Sequence, residues 1–183
     1  MGRWYRLAWY DPAAPDPSVA GHPLYLWPRQ GQGRCDDPQG EYLVRYLGRE
    51  RAGAVAEVFG DFATWGTDLL EPPAGQPQLR RAVIGYDLDA DLCDLDDAGT
   101  LLERGLRPSQ VVTRDRDVTQ TWSRAIHDDG RYGGVSWWSY RDPRWTVAAT
   151  WAHDAIRLAE VRQLDLDDEA FREAAEVLLR PVV

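Results

Sequence analysis

The chain alternates short runs of strand periodicity with segments of helical periodicity, which restricts it to folds that contain both strands and helices. Residues 42–47, YLVRYL, predict a short buried strand. The segment that follows predicts a helix, because its apolar residues recur at helical spacing. These residues are Ala52, Val55, Ala56, Phe59, Phe62 and Ala63. We therefore expect a strand that leads directly into a helix.

The second half of the chain contains both kinds of segment again. Residues 86–95, YDLDADLCDL, alternate apolar and acidic residues, which is typical of a strand with one solvated face. The apolar spacing before Gly130 predicts a helix that ends there. Three further strands are predicted in GGVSWWS, TVAATW and IRLAEVRQLDL, and a last helix is predicted from Asp168 to Arg180.

Residues 11–40 are rich in Pro, Gly and Asp, and they predict a long ordered loop with at most a short strand in PLYLW. Loops of this length in a compact domain usually carry function. Within the loop, the sequence GQGRCDD places Arg34 between two glycines and two aspartates. Arg34 is either an ion-pair partner of Asp36 or Asp37, or a fixed receptor for an anion, and the local sequence leaves both open.

Length and charge limit the classes of partner. With 183 residues the chain has the size of one compact domain, and we expect a single domain over 1–183. The net charge is −9, lysine is absent, and the arginines are scattered. This pattern argues against direct binding of nucleic acid or of an anionic membrane. No apolar run has the length of a signal-peptide core or of a membrane span.

The common catalytic and metal-binding motifs do not occur. Cys35 and Cys93 are far apart and form no CxxC pair, so neither a disulfide framework nor a zinc site is indicated, and we expect a cytoplasmic protein. The three histidines stand in no HExxH context, and YDLDADLCDL lacks the glycine and the terminal glutamate of an EF-hand. The GxSxG elbow, the P-loop and the GxGxxG fingerprint are also missing. We predict no metal site.

Four residues remain as an ordered set of candidates: Arg34 in the glycine-rich loop, Tyr46 on the next strand, Glu57 on the next helix and Ser139 at the end of a later strand. Each has an ordinary structural explanation. On a helical wheel Glu57 lies opposite the apolar stripe of its helix, which is typical of a solvated glutamate. The candidate function depends on the set rather than on any one residue.

In this order the residues resemble the RES domain family, which is named for a shared arginine, glutamate and serine. The similar segments are GQGRCDDPQGEYLVRYLGRERAGAVAEVF, YDLDADLCDL and DVTQTWSRAIHDDGRYGGVSWWSYRDP. The family residues fall on Arg34, Tyr46, Glu57 and Ser139. Cys35 departs from the usual Phe or Trp, and SWWSYRDPRW departs from the commoner Gly-Ile-x-Tyr-x-Ser form.

The resemblance implies a compact α/β fold with a mixed or antiparallel sheet, similar to the ADP-ribosyltransferase toxins. It implies a toxin of a toxin–antitoxin system that consumes NAD as substrate, either by phosphorolysis with inorganic phosphate or by transfer of ADP-ribose to a protein. No further cofactor is implied. The expected partner is a helix-turn-helix antitoxin of the Xre type, with which the toxin could form an oligomer. A silent module that only binds a nucleotide or a partner, and a purely structural partner protein, are the alternatives.

The four residues suit cleavage of NAD. Nicotinamide leaves as a neutral molecule, so the barrier lies in the positive charge that develops on the ribose, as in glycoside hydrolysis. Glu57 would stabilise that charge, and Arg34 would bind phosphate oxygens. Tyr46 would stack on nicotinamide, and Ser139 would hold a ribose or phosphate oxygen. Because the protein is acidic overall, the pocket must be locally positive, and we expect Arg6, Arg141 and Arg144 to contribute.

Overall fold

Seven strands form one mixed sheet in the computed structural model, which describes residues 2–183. The strands are β1 (Gly2–Tyr10), β2 (Arg45–Gly48), β3 (Arg80–Leu88), β4 (Leu92–Asp94), β5 (Gly134–Trp138), β6 (Thr146–Thr150) and β7 (Ile156–Gln163). Their order across the sheet is β4-β5-β6-β2-β1-β3-β7. The pair β4 and β5 is parallel and the other neighbours are antiparallel. The expectation of a compact α/β fold is confirmed.

Five α-helices flank the sheet. They are α1 (Arg51–Phe59), α2 (Ala98–Arg104), α3 (Pro108–Val111), α4 (Arg116–Asp129) and α5 (Glu169–Val177). Helices α2, α4 and α5 each begin after an aspartate whose carboxylate accepts backbone N–H groups of the first turn. Helix α4 ends at Gly130, which has the left-handed conformation with φ 71°. The prediction of that helix and of its end is confirmed.

The sheet separates between β1 and β2. These two strands share a single register pair, Tyr5 with Gly48, whereas β1 and β3 pair continuously from Gly2 with Leu88 to Tyr10 with Arg80. The sheet therefore has two halves, β4-β5-β6-β2 and β1-β3-β7, which are joined at one point. The separation leaves room for a cleft beside α1.

Helices and apolar side chains pack on both halves of the sheet. Helices α1 and α5 pack near β1 and β3, where the rings of Phe59, Trp65 and Phe171 meet at centroid distances of 5.2–6.1 Å. Helix α4 packs on β5 through Trp122, whose ring lies 6.4 Å from that of Trp137. A third core cluster joins the two halves, because it contains Leu47 and Ala148 from one half and Trp4 and Tyr86 from the other.

Two strands differ from the sequence-based prediction. The segment YDLDADLCDL is not one strand, because residues 89–91 leave the sheet between the end of β3 and the start of β4. Within the segment the predicted alternation of burial is confirmed, because Tyr86 and Leu88 are buried while Asp89, Asp91 and Asp94 are exposed. Residues 82–85 of β3, which precede the segment, are buried on both faces. Strand β1 was not predicted, although it is an interior strand of the sheet, between β2 and β3.

Several element boundaries also differ. The predicted strand 42–47 begins only at Arg45, and α1 ends at Phe59. Phe62 and Ala63 are exposed beyond its end, because the chain turns at Gly60 and Asp61. The predicted loop 11–40 contains no strand or helix in the described structure. Across residues 2–183, no helix combines the length and apolar character needed to cross a bilayer.

Protonation of His153 should destabilise the fold. Its Nε2 lies 2.9 Å from the carbonyl oxygen of Leu43, and its Nδ1 is buried without a partner among residues 2–183. Burial lowers the pKa of His153 below its ordinary value, so the unfolded chain takes up a proton more readily as the pH falls below about 6.5. The free energy of unfolding should therefore fall in that range.

We predict that His153→Gln, which keeps a donor for Leu43, loses less stability than the wild type between about pH 7.5 and pH 5.5. Urea unfolding at the two pH values measures the difference, with His22→Gln as a control. Equal losses in wild type and His153→Gln would contradict the prediction.

Candidate active site

Asp36 holds the glycine–arginine loop in its conformation. The residue is 5% exposed, and its Oδ2 accepts the backbone N–H groups of Gly31 and Gly33, each at 2.8 Å. Its Oδ1 accepts the hydroxyl of Tyr46 at 2.7 Å. The backbone N–H of Cys35 donates to the same tyrosine oxygen at 2.8 Å. The loop is thus tied to β2 through one carboxylate and one phenol.

Gly33 allows this close approach. A Cβ atom at this position would lie 2.3 Å from the Tyr46 oxygen and 2.5 Å from Asp36 Oδ1, so a larger residue does not fit. Gln120 on α4 donates to the carbonyl oxygens of Gly31 and Gly33 at 3.0 and 2.9 Å. The loop is therefore fixed from the sheet and from α4.

Arg34 projects from this loop without a carboxylate partner. Its guanidinium donates to the carbonyl oxygens of Val111 and Thr113, the second at 2.8 Å, and lies 5.8 Å from the Trp137 ring centroid. Arg34 forms no ion pair with any residue in 2–183. The carboxylate of Asp36 accepts hydrogen bonds from the loop and from Tyr46, and Asp37 forms its ion pair with Arg124. Burial lowers the pKa of Arg34. Carbonyl oxygens orient the guanidinium but do not neutralise its charge. Of the two interpretations of Arg34, this favours a receptor for an anion over an ion-pair partner of Asp36 or Asp37.

Glu57 and Ser139 form a direct pair at the other side of the site. The Ser139 hydroxyl donates to Glu57 Oε1 at 2.5 Å, and the backbone N–H of Arg141 donates to the Ser139 oxygen at 3.0 Å. Ser139 is 1% exposed and lies behind the carboxylate, outside the cleft lining. Glu57 is half-buried, because the polar face of α1 borders the cleft and not open solvent.

These groups meet at a cleft of about 370 Å³, a size that suits a small-molecule site. Arg34, Tyr46 and Glu57 line it, together with Arg116, Trp137 and Tyr140. The structure therefore brings three of the four predicted residues to one surface and places the fourth in contact with Glu57. Within residues 2–183, no group of three or more His, Cys, Asp or Glu side chains is arranged to hold a metal ion.

The positive charge of the cleft differs from the sequence-based expectation. Arg141 forms an ion pair with Asp61 at 2.9 Å, and Arg144 forms one with Asp142 at 2.6 Å, so neither is available to the cleft. Arg6 borders the cleft as expected. Arg116, which was not predicted, also borders the cleft; it is the first residue of α4, and its charge acts on Arg34. Arg116 Nε donates to the carbonyl oxygen of Gln32 at 3.1 Å, a contact that no local motif signals.

Cys35 is a core residue. It is fully buried in the cluster that includes Tyr42, Val44 and Trp122, and burial raises the pKa of its thiol to about 12. A thiol with so high a pKa is a poor nucleophile. Cys35 therefore fills space beneath the loop and takes no chemical part in the site.

The chain matches a known protein family and is similar in fold to a solved structure. The RES domain family matches residues 3–171. The fold is similar to a chain in the crystal structure of the M. tuberculosis MbcT–MbcA toxin–antitoxin complex, with a TM-score of 0.58 and 14% sequence identity over 97% of this chain and 91% of that chain. No curated protein sequence matches significantly. Because the family match extends over nearly the whole chain, the protein belongs to the RES domain family.

Proposed function

We propose that this protein is a toxin that consumes NAD: it cleaves the nicotinamide–ribose bond with inorganic phosphate as acceptor and gives nicotinamide and ADP-ribose 1-phosphate. The observation that carries the proposal is one cleft that combines Glu57, held by Ser139, with the unpaired guanidinium of Arg34. Membership of the RES domain family supports it.

Glu57 acts on the ribose. Nicotinamide leaves NAD as a neutral molecule, so the enzyme needs no strong acid, and positive charge develops at the anomeric carbon in the transition state. The carboxylate of Glu57 stabilises that charge. Because the Ser139 hydrogen bond fixes one carboxylate oxygen, the group is already oriented when the charge develops.

Arg34 and Arg116 bind the negative parts of the substrate. A guanidinium forks onto phosphate oxygens, and Arg34 is oriented by two backbone carbonyls before any ligand arrives. The ring of Tyr46 forms part of the wall on which the nicotinamide stacks, while its hydroxyl remains bonded to Asp36. Tyr46 thus has a structural and a binding task.

Phosphate is the proposed acceptor because cations exceed acids around the cleft. Arg6, Arg34 and Arg116 border it, against the single carboxylate of Glu57. A guanidinium can also bind the oxygens of inorganic phosphate, and the cleft has three such groups. Transfer of ADP-ribose to a protein side chain is the competing outcome, and the assay below separates the two.

We further propose that a helix-turn-helix antitoxin of the Xre type neutralises the protein by covering the cleft. The related fold was solved as a toxin–antitoxin complex. Apolar side chains are exposed near the cleft: Val58 and Tyr140 line it, and Phe62 follows α1. Exposed apolar groups beside a functional cleft favour contact with a protein partner.

NAD consumption by the purified protein tests the proposed reaction. We expect the wild type to release nicotinamide only when phosphate is present, with ADP-ribose 1-phosphate as the second product. Glu57→Gln should lower kcat about 100-fold or more, because it removes the charge that stabilises the ribosyl cation. The exposed Glu71→Gln is the matched control and should keep full activity.

Other products would contradict parts of this scheme. Equal release of nicotinamide without phosphate would indicate hydrolysis, so phosphate would not be the acceptor. Labelled ADP-ribose on a protein would indicate a protein acceptor. A folded sample that binds NAD but releases nothing under any condition would be a silent binding module.

Ser139→Ala separates positioning of Glu57 from substrate binding. If Ser139 acts through Glu57, the variant should lower kcat about tenfold and leave the KM values for NAD and phosphate nearly unchanged. Ser136→Ala is the matched control, because Ser136 is a buried serine on β5 that bonds Asp94 at 3.2 Å. A raised KM with unchanged kcat would instead assign Ser139 to direct contact with the substrate.

A further inference from the structure

A second cleft, of about 390 Å³, lies on the other face of the sheet. It is enclosed by the loop of residues 20–27, the segment 76–79 and strands β1, β2 and β3. No aspartate or glutamate lines it, although the chain carries a net charge of −9. Two arginines, Arg6 and Arg45, do line it. The proposed NAD chemistry uses neither the loop 20–27 nor Arg45, although Arg6 borders both clefts.

Arg45 is a buried cation without an acid. It is 3% exposed, its guanidinium donates to the carbonyl oxygens of Pro23 at 3.3 Å and Leu24 at 2.7 Å, and it lies 5.3 Å from the ring centroid of Tyr86. Its Nε is buried with no partner among residues 2–183. Burial lowers the pKa of Arg45. These contacts orient the guanidinium but leave its charge uncompensated.

Arg6 adds a second uncompensated charge. In β1 it lies on the same face as Trp4 and Ala8, which pack with Tyr86. Its charge acts on Arg45 and Tyr86. Across residues 2–183 its side chain makes no hydrogen bond or ion pair. Like charges repel, so an anion placed between Arg6 and Arg45 would gain from both.

Aromatic groups border the same cleft. Trp27 is 57% exposed, and its ring meets that of Tyr25 edge to face at 6.0 Å. His22 Nδ1 accepts the backbone N–H of Leu24 at 3.1 Å, which leaves Nε2 as a donor for a ligand. A planar ligand that covers Trp27 would remove a large apolar ring from water.

We propose that this second cleft binds a small aromatic phosphate of mononucleotide size, with its phosphate at Arg6 and Arg45 and its ring against Trp27. The volume falls in the range of small-molecule sites, and the two guanidinium groups match phosphate oxygens. This site is separate from the Arg34 and Glu57 cleft, although Arg6 borders both clefts.

Nuclear magnetic resonance of [¹⁵N]tryptophan-labelled protein tests the proposal with AMP as probe. The indole signal of Trp27 is identified by Trp27→Phe, and that of Trp137 reports the first cleft. We expect AMP to shift the Trp27 signal saturably. Arg6→Gln should weaken this response about tenfold, because one charged partner of the phosphate is lost. Arg29→Gln removes the same charge from an exposed position that does not line the cleft, and it should leave the response unchanged.

Two further measurements test whether the ligand needs an aromatic ring and whether the site is independent of NAD consumption. Inorganic phosphate alone should compete weakly with AMP, because it lacks the ring that Trp27 covers. Trp27→Phe should consume NAD at the wild-type rate. The proposal is overturned if millimolar AMP leaves the Trp27 signal unmoved, if Arg6→Gln and Arg29→Gln respond alike, or if phosphate binds as tightly as AMP.

Discussion

The carboxylate of Asp36 is the contact on which the candidate active site depends. It is buried, and it accepts two backbone N–H groups of the loop and the hydroxyl of Tyr46. A buried carboxylate requires such donors, and here the donors come from the loop itself and from β2. Because Asp36 is satisfied in this way, it does not neutralise Arg34. The loop therefore presents an oriented guanidinium whose charge is available to an anion.

The divergence of the sheet explains how distant segments meet. Strands β1 and β2 are joined by the single pair of Tyr5 and Gly48, so a cleft opens where a continuous sheet would be closed. Arg34 reaches it from the loop, Glu57 from α1 and Arg116 from α4. This geometry places the guanidinium groups of Arg34 and Arg116 at one cleft, which is locally positive although the total charge of the protein is −9. Several acids elsewhere cap helices or form ion pairs, among them Asp97, Asp115 and Asp129.

Local signals predicted the elements that begin or end at clear capping or turn residues, such as α4, which ends before Gly130, and β5, which begins at the second glycine of its pair. They missed β1, whose mixture of arginines and aromatic residues has no simple period because parts of both faces are covered. The site was predicted through the ordered set of residues and the family resemblance. Periodicity alone predicts that Glu57 is exposed to solvent, because a helical wheel does not show whether the polar face of a helix borders open water or a cleft. Arg116 carries no local signal, because its position depends on contact with Gln32 across the fold.

The most direct test of the account is the NAD affinity of Asp36→Asn, measured by calorimetry in the Glu57→Gln background so that NAD remains intact. The substitution keeps the shape of the side chain but weakens the acceptor for the loop. We predict that NAD binds about tenfold more weakly than to Glu57→Gln alone, because Arg34 is no longer held towards the cleft. Asp16→Asn, which alters a turn of the same long loop, should not change the affinity. Unchanged NAD binding by a folded Asp36→Asn protein would contradict the account.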